Sequence, residues 1–221
     1  MSNVVPVRQQ VGVDRVVRHK LSDRIYHWVT AAAVLTLLAT GFLPILGWKF
    51  AWVTPHWIAG IVLAATVVFH IVRAVAWQDF WSMVVDFEDL HGAWRGIGEA
   101  VGRKVPAPLR PGKYSILQKL FHLLVAIVVL ALVASGLLML LKIDTPWWRR
   151  NPYWLSDYGW GVTYAIHGLC AMAMITLLMA HIYFALRPEK LWMTLSMIRG
   201  WISRADYQAH HDPERWPESG R

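Results

Sequence analysis

The sequence predicts an all-α integral membrane protein, a four-helix bundle with both termini in the cytoplasm. Three observations predict it. The first is composition. The 221 residues are 56% hydrophobic and 16% charged, with mean hydropathy +0.37, whereas a soluble domain carries about 25% charged residues. The second is length. Four apolar stretches, at about 25–45, 56–77, 116–141 and 163–186, reach the roughly 20 residues that a helix needs to cross a bilayer. The third is the placement of basic residues. Of 22 Lys and Arg, 18 lie in 1–24, in 73–119 or after residue 186. The positive-inside rule puts those three segments in the cytoplasm.

The elements follow in order. Residues 1–24 are polar and basic. The first apolar stretch is longer than the core of a signal peptide, has no clear small-residue cleavage site and contains His27, so it reads as a retained helix. The first outer loop carries Trp48, Trp52 and Trp57, and the second carries Trp147, Trp148, Trp154 and Trp160. Trp77 and Trp81 mark the inner end of the second span. Indole rings favour the bilayer interface, and most of these read as plain anchors. The cytoplasmic loop, about 78–115, is broken by Gly92, Gly96, Gly98 and Gly102 and then by Pro106, Pro108 and Pro111. That leaves room for no more than a short interfacial helix. Arg187-Pro188 ends the fourth span and opens the cytoplasmic tail, 187–221. Within it, 191–202 reads as an amphipathic surface helix, with Trp192, Leu195, Ile198 and Trp201 near helical spacing. Residues 206–221 read as polar and extended. The whole chain, 1–221, is one transmembrane domain of a multi-pass protein of the inner (plasma) membrane. Nucleic-acid binding is a poor reading of the +8 net charge, because the basic residues are scattered and no binding motif accompanies them. The single cysteine, Cys170, makes no internal disulfide and no zinc or iron–sulfur site, and reads as a packing residue.

The informative residues are histidines. His56 and His70 are fourteen residues apart, as are His167 and His181. At about 100° and 1.5 Å per residue, each pair shares a helix face with its members about 21 Å apart. The same step joins His27 to Gly41 and His122 to Gly136. With alternate spans running in opposite directions, Gly41, His56, Gly136 and His167 form an outer layer, and His27, His70, His122 and His181 an inner one. A lone membrane histidine is most simply an interhelical hydrogen bond. A matched set at two depths is different, since such residues are rare in spans and mark function. Zinc or copper needs ligands converging at one depth. Two layers suit two haems, each held by an imidazole from either side with glycine admitting the flat macrocycle. No C-x-x-C-H is present, so the haems are b-type, bound without a covalent link. His56 and His167 serve the outer haem. The inner layer offers four histidines for two places. His181 is the firmest, symmetry favours His70 beside it, and spacing alone does not exclude His27 or His122. His19, His91, His210 and His211 lie outside the spans and read as solvated or partner-facing. Arg18, Lys20, Arg24 and Arg187 inside, and Lys49, Arg149 and Arg150 outside, are placed for haem propionates or lipid headgroups.

Short motifs run through the chain in order: Arg24-x-x-His27-Trp28, His56-x-x-x-Gly60, Pro111-Gly112-Lys113-Tyr114, Gln118-Lys119, His181-Ile182-Tyr183, Gly200-x-x-Ser203-Arg204, His210-His211 and Trp216. On these the chain resembles the gamma (cytochrome b) subunit of membrane-bound formate dehydrogenase. That family belongs to a wider group of diheme cytochromes that includes the cytochrome b subunits of nickel hydrogenases. The resemblance implies His56 with His167 at the outer haem and His27 with His181 at the inner one. His70 is not part of the family pattern and stays the runner-up. It further implies a membrane quinone, menaquinone or ubiquinone, reduced near Ser115 and Gln118, with Ser115 where the family has asparagine. The implied partners are an iron–sulfur (beta) subunit and a molybdenum or tungsten catalytic (alpha) subunit. The chain itself carries nothing to oxidise formate. Other readings are the cytochrome b of a hydrogenase or sulfur-compound oxidoreductase, a stand-alone diheme oxidoreductase, or a haem-free anchor.

Overall fold

A computed structural model describes residues 15–76, 83–102 and 110–217. Trp77, Trp81, Pro106, Pro108 and the first fourteen residues lie outside the described residues. Four long helices carry the apolar stretches: α1 (Leu21–Phe42), α2 (Val53–Ala76), α4 (Ile116–Leu140) and α5 (Asp157–Leu186). All four are long and apolar enough to cross a membrane. Their starts are set by local chemistry. The Asp23 carboxylate accepts from the Lys20 backbone N–H at 3.0 Å. The Ser156 hydroxyl accepts from Gly159 N–H at 3.2 Å. Ser115 and Gln118 cap each other at the head of α4. These bonds satisfy N–H groups that a first helical turn leaves unpaired. In space α1 packs on α2, α2 meets α4, and α4 packs on α5.

Between α2 and α4 lies α3 (Phe87–Ala100), fourteen residues long. This corrects the expectation that glycine and proline permit only a short helix there. Gly92, Gly96 and Gly98 lie within it, and tertiary contacts override their poor propensity. The decisive contact is Asp89, whose carboxylate meets Lys119 Nζ of α4 at 2.5 Å, with both side chains almost wholly buried. Lys119 also donates to the Val84 carbonyl at 2.9 Å, and Arg215 reaches Asp89 at 3.1 Å and Glu88 at 3.2 Å. Burial works to raise the Asp89 pKa. The bonds from Lys119, Asp86 N–H and Arg215 outweigh it and hold the carboxyl below its ordinary value. Removing one partner of such a buried pair costs about 3–5 kcal/mol, because the other charge is left unpaired.

The tail does not extend from residue 206. It folds back as α6 (Leu191–Arg199), a strand β2 (Trp201–Ser203) and α7 (Arg204–His210). The expected surface helix over 191–202 therefore stops early. Gly200 ends it at φ +91°, and a Cβ there would lie 3.0 Å from the His19 carbonyl oxygen, so only glycine fits. The Gly200 carbonyl accepts from the N–H groups of Arg18 and His19 at 2.9 and 3.0 Å. That contact leads into an antiparallel pairing of β2 with β1 (Arg15–Val17). The segment before α1 and the tail after α5 therefore meet at one end of the bundle. Val16, Ile202 and Tyr207 form a buried cluster there, with Trp192 and Trp216 packed against it. Much of the apolar surface of the four long helices is exposed, and among the described residues the buried hydrophobic cluster lies in this terminal cap.

Arg18 and His211 tie the cap together. Both are 3% exposed, which corrects the reading of His211 as solvated. Arg18 Nη1 bonds His211 Nε2 at 2.9 Å, and Arg18 Nη2 donates to the Lys113 carbonyl at 3.0 Å. A guanidinium only donates, so Nε2 accepts, and Nδ1 carries the proton that His211 donates to the Gly112 carbonyl at 2.7 Å. The Arg18 guanidinium also lies near the rings of Tyr114, Trp192 and Trp216. Its donors are thus turned into the cap instead of towards a propionate.

Burial, opposed by the Gly112 bond and aided by Arg18, lowers the His211 pKa from 6.5 to about 4. His19 is lowered to about 3, by burial and then by Arg18 and Lys113. The folded cap holds neutral imidazoles, whereas the unfolded chain takes up protons below about pH 6.5. Cap stability is complete above that pH and declines as pH falls towards 4. Hydrogen-exchange protection factors over residues 201–217, corrected for the intrinsic pH dependence of exchange, should fall across this window. In His211→Asn, with His19 still titrating, the fall should be smaller. An equal fall in both proteins would remove His211 from the cause.

Candidate functional site

Histidines on the four long helices come together in pairs. At the level of Gly41 and Gly136, His56 of α2 and His167 of α5 have ring centres 6.4 Å apart, inclined at 65°. Each is braced by a hydroxyl from a neighbouring helix. Thr40 Oγ1 of α1 lies 2.8 Å from His56 Nδ1, and Ser135 Oγ of α4 lies 2.9 Å from His167 Nδ1. Each hydroxyl donates its own proton one turn back, to Thr36 O and Ala131 O, both at 2.6 Å. It therefore accepts from Nδ1–H, which fixes that tautomer and leaves the Nε2 lone pair for a ligand. The glycines stand where the rings need space. A Cβ on Gly41 would be 3.6 Å from His56 Cε1, and one on Gly136 would be 3.3 Å from His167 Cε1.

At the other level the four histidines sort into two pairs across helices. His27 of α1 and His181 of α5 have ring centres 6.3 Å apart, at 47°. His70 of α2 and His122 of α4 have centres 5.9 Å apart, at 63°. His70 also stacks on Tyr26 at 4.7 Å. Symmetry between the layers would set His70 against His181, but the structure turns His70 to His122 and sets His27 against His181. α2 packs on both α1 and α4, and His70 lies against Tyr26 of the first and His122 of the second. His27 Nδ1 is buried without a hydrogen-bond partner, unlike the Nδ1 atoms of His56 and His167.

The spacing can be tested against iron. Two imidazoles gripping one metal from opposite sides at about 2 Å each have ring centres roughly 6 Å apart. The His56–His167 and His27–His181 pairs fit that dimension, and so does His70–His122. Their donor type, two neutral imidazoles in an apolar bundle, suits a b-type haem.

Ser115 and Gln118 lie at the head of α4, near the cap. Ser115 N–H donates to Gln118 Oε1 at 2.9 Å, Gln118 N–H donates to Ser115 Oγ at 3.4 Å, and Gln118 Nε2 contacts Met193 Sδ at 3.1 Å. Both side chains thus perform helix-start chemistry. Arg187 pairs with Glu189, and Arg150 with Asp144. Sequence reasoning overlooked Thr40 and Ser135. Their signal was present, since each directly precedes a glycine of the fourteen-residue ladder: Thr40-Gly41 and Ser135-Gly136.

A family model described as prokaryotic cytochrome b561 matches residues 18–200. The formate dehydrogenase cytochrome b556(fdo) subunit of Escherichia coli (strain K12) is 26% identical over 221 residues, spanning 92% of each protein. The formate dehydrogenase cytochrome b556 subunit of Haemophilus influenzae is 23% identical over 219 residues, spanning 91% of this chain and 82% of its own length.

Proposed function

The chain belongs to the prokaryotic cytochrome b561 family, and from that premise we propose that it is the diheme cytochrome b subunit of a respiratory formate dehydrogenase-type complex in the bacterial inner membrane. It anchors the complex and connects an iron–sulfur partner outside, served by a molybdenum or tungsten catalytic subunit, with membrane quinone inside. The observation that carries this reading is the pair of imidazole pairs. His56–His167 and His27–His181 have the ring spacing that one iron requires and stand on helices long enough to cross a bilayer. His70–His122 has that spacing too, and His27 is preferred at the inner level on the family resemblance and because His70 is stacked on Tyr26. The names of the relatives support the type of complex.

When bound, b-type haem supplies one-electron carriage between ferric and ferrous iron. The chain's residues do the rest. His56 and His167 hold the outer group, and His27 and His181 the inner one. Gly41 and Gly136 keep Cβ atoms away from the outer imidazoles. The apolar helix faces exclude water, which tunes potential through burial. The concentration of Lys and Arg in three segments supports a cytoplasmic cap. On that side Gln118, and Ser115 beside it, are the groups proposed to hydrogen-bond a menaquinone or ubiquinone. His70, turned to His122, is left outside the ligand set.

Two experiments test this. Pyridine haemochrome counting on the purified protein should give two haems for the parent and one for each of His56→Ala, His167→Ala, His27→Ala and His181→Ala. His70→Ala should keep both. A His70→Ala protein with one haem, beside a His27→Ala protein with two, would reassign the inner site. For the quinone, Gln118→Ala should raise KM for quinone several-fold at unchanged haem content. An unchanged KM would remove Gln118 from the site.

A further inference from the structure

The two hydroxyls beside the outer imidazoles do more than satisfy themselves. Thr40 and Ser135 are 6% and 5% exposed, and a buried hydroxyl in an apolar helix needs a partner. Thr36, Thr163 and Thr176 show the usual solution in this chain, donating to the carbonyls of Ala32, Gly159 and Met172 one turn back. Thr40 and Ser135 make that same backward bond, so their own donor is already placed. Each also offers a lone pair to the Nδ1–H of a histidine on the adjacent helix. The second bond serves the histidine. It occurs twice, on different helices, with different residue types, each time one position before a glycine that faces the same ring. The inner level is unlike this, for His27 Nδ1 is buried without a partner.

We propose that Thr40 and Ser135 are positioning residues that hold His56 and His167 in their metal-binding tautomer and set the outer site to a lower reduction potential than the inner site. The inference rests on the diheme reading above and adds a direction to it. A hydrogen bond accepted from the far ring nitrogen makes an imidazole the more basic ligand. A more basic axial ligand favours ferric over ferrous iron, which lowers the potential. At the outer level both ligands have this brace. At the inner level His27 lacks it. An electron delivered from outside therefore finds its lower free energy on the inner side, next to the quinone. The fold thus builds in the polarity of the wire through two hydroxyls that touch neither iron nor substrate.

The test is a redox titration of the purified complex, followed at the b-type absorption band. Assignment comes first: His56→Ala removes the outer component, and the surviving midpoint belongs to the inner site. The outer midpoint is expected to be the more negative. Thr40→Val and Ser135→Ala should each move it in the positive direction, the double variant should move it further, and the inner midpoint should stay. Thr40→Ser, which restores the hydroxyl, should return the parent value. If Thr40→Val instead loses the outer haem, recovery of two haems in Thr40→Ser supports the positioning role. Failure of Thr40→Ser to recover them overturns it. Full haem content with an unmoved outer midpoint also overturns the proposal, as does an outer midpoint above the inner one in the parent. A parent protein without haem would defeat the diheme reading itself, so the two failures are distinguishable.

Discussion

An imidazole nitrogen inside hydrocarbon has to find its partner within the protein or on a ligand, because lipid provides none. This constraint organises the bundle. His56 and His167 each spend one nitrogen on a hydroxyl, and their ring centres are 6.4 Å apart, a separation that suits a shared metal. His27 and His181 approach to the same distance. Helix lengths, the glycines beside the outer rings, and the pairing of α1 with α2 and α4 with α5 all serve to bring these rings together at two depths.

The cap is the second organising feature and obeys different physics. It is held by long-range polar contacts and aromatic packing outside the spans. Arg18 binds His211, β1 pairs with β2, and Lys119, Asp89 and Arg215 join α4, α3 and the tail. These contacts converge on the segment from Pro111 to Gln118, where the proposed quinone residues lie. The cap therefore holds the start of α4.

The ladder was legible because a period of fourteen residues is a property of one helix at a time. The identity of partners was not, because it depends on which helices are neighbours. Symmetry of spacing favoured His70 beside His181, whereas His70 lies against Tyr26 of α1 and His122 of α4. Local propensity misjudged α3, where Gly92 and Gly96 suggested a break and a buried ion pair made a helix instead. The cap was the least legible part. Its defining bond joins residues 193 positions apart, and polar residues such as those of 206–217 look solvated until their partners are known. Thr40 and Ser135 fall between these cases. Their hydroxyls were visible beside the ladder glycines, but only the crossing of α1 with α2 and of α4 with α5 gave them a purpose.

The central claim is that paired imidazoles hold two irons in one chain. Low-temperature electron paramagnetic resonance of the oxidised, purified protein measures this directly. Two distinct low-spin ferric centres of bis-imidazole type per polypeptide are expected. A single centre, a high-spin iron with an open axial position, or no haem signal would contradict the account.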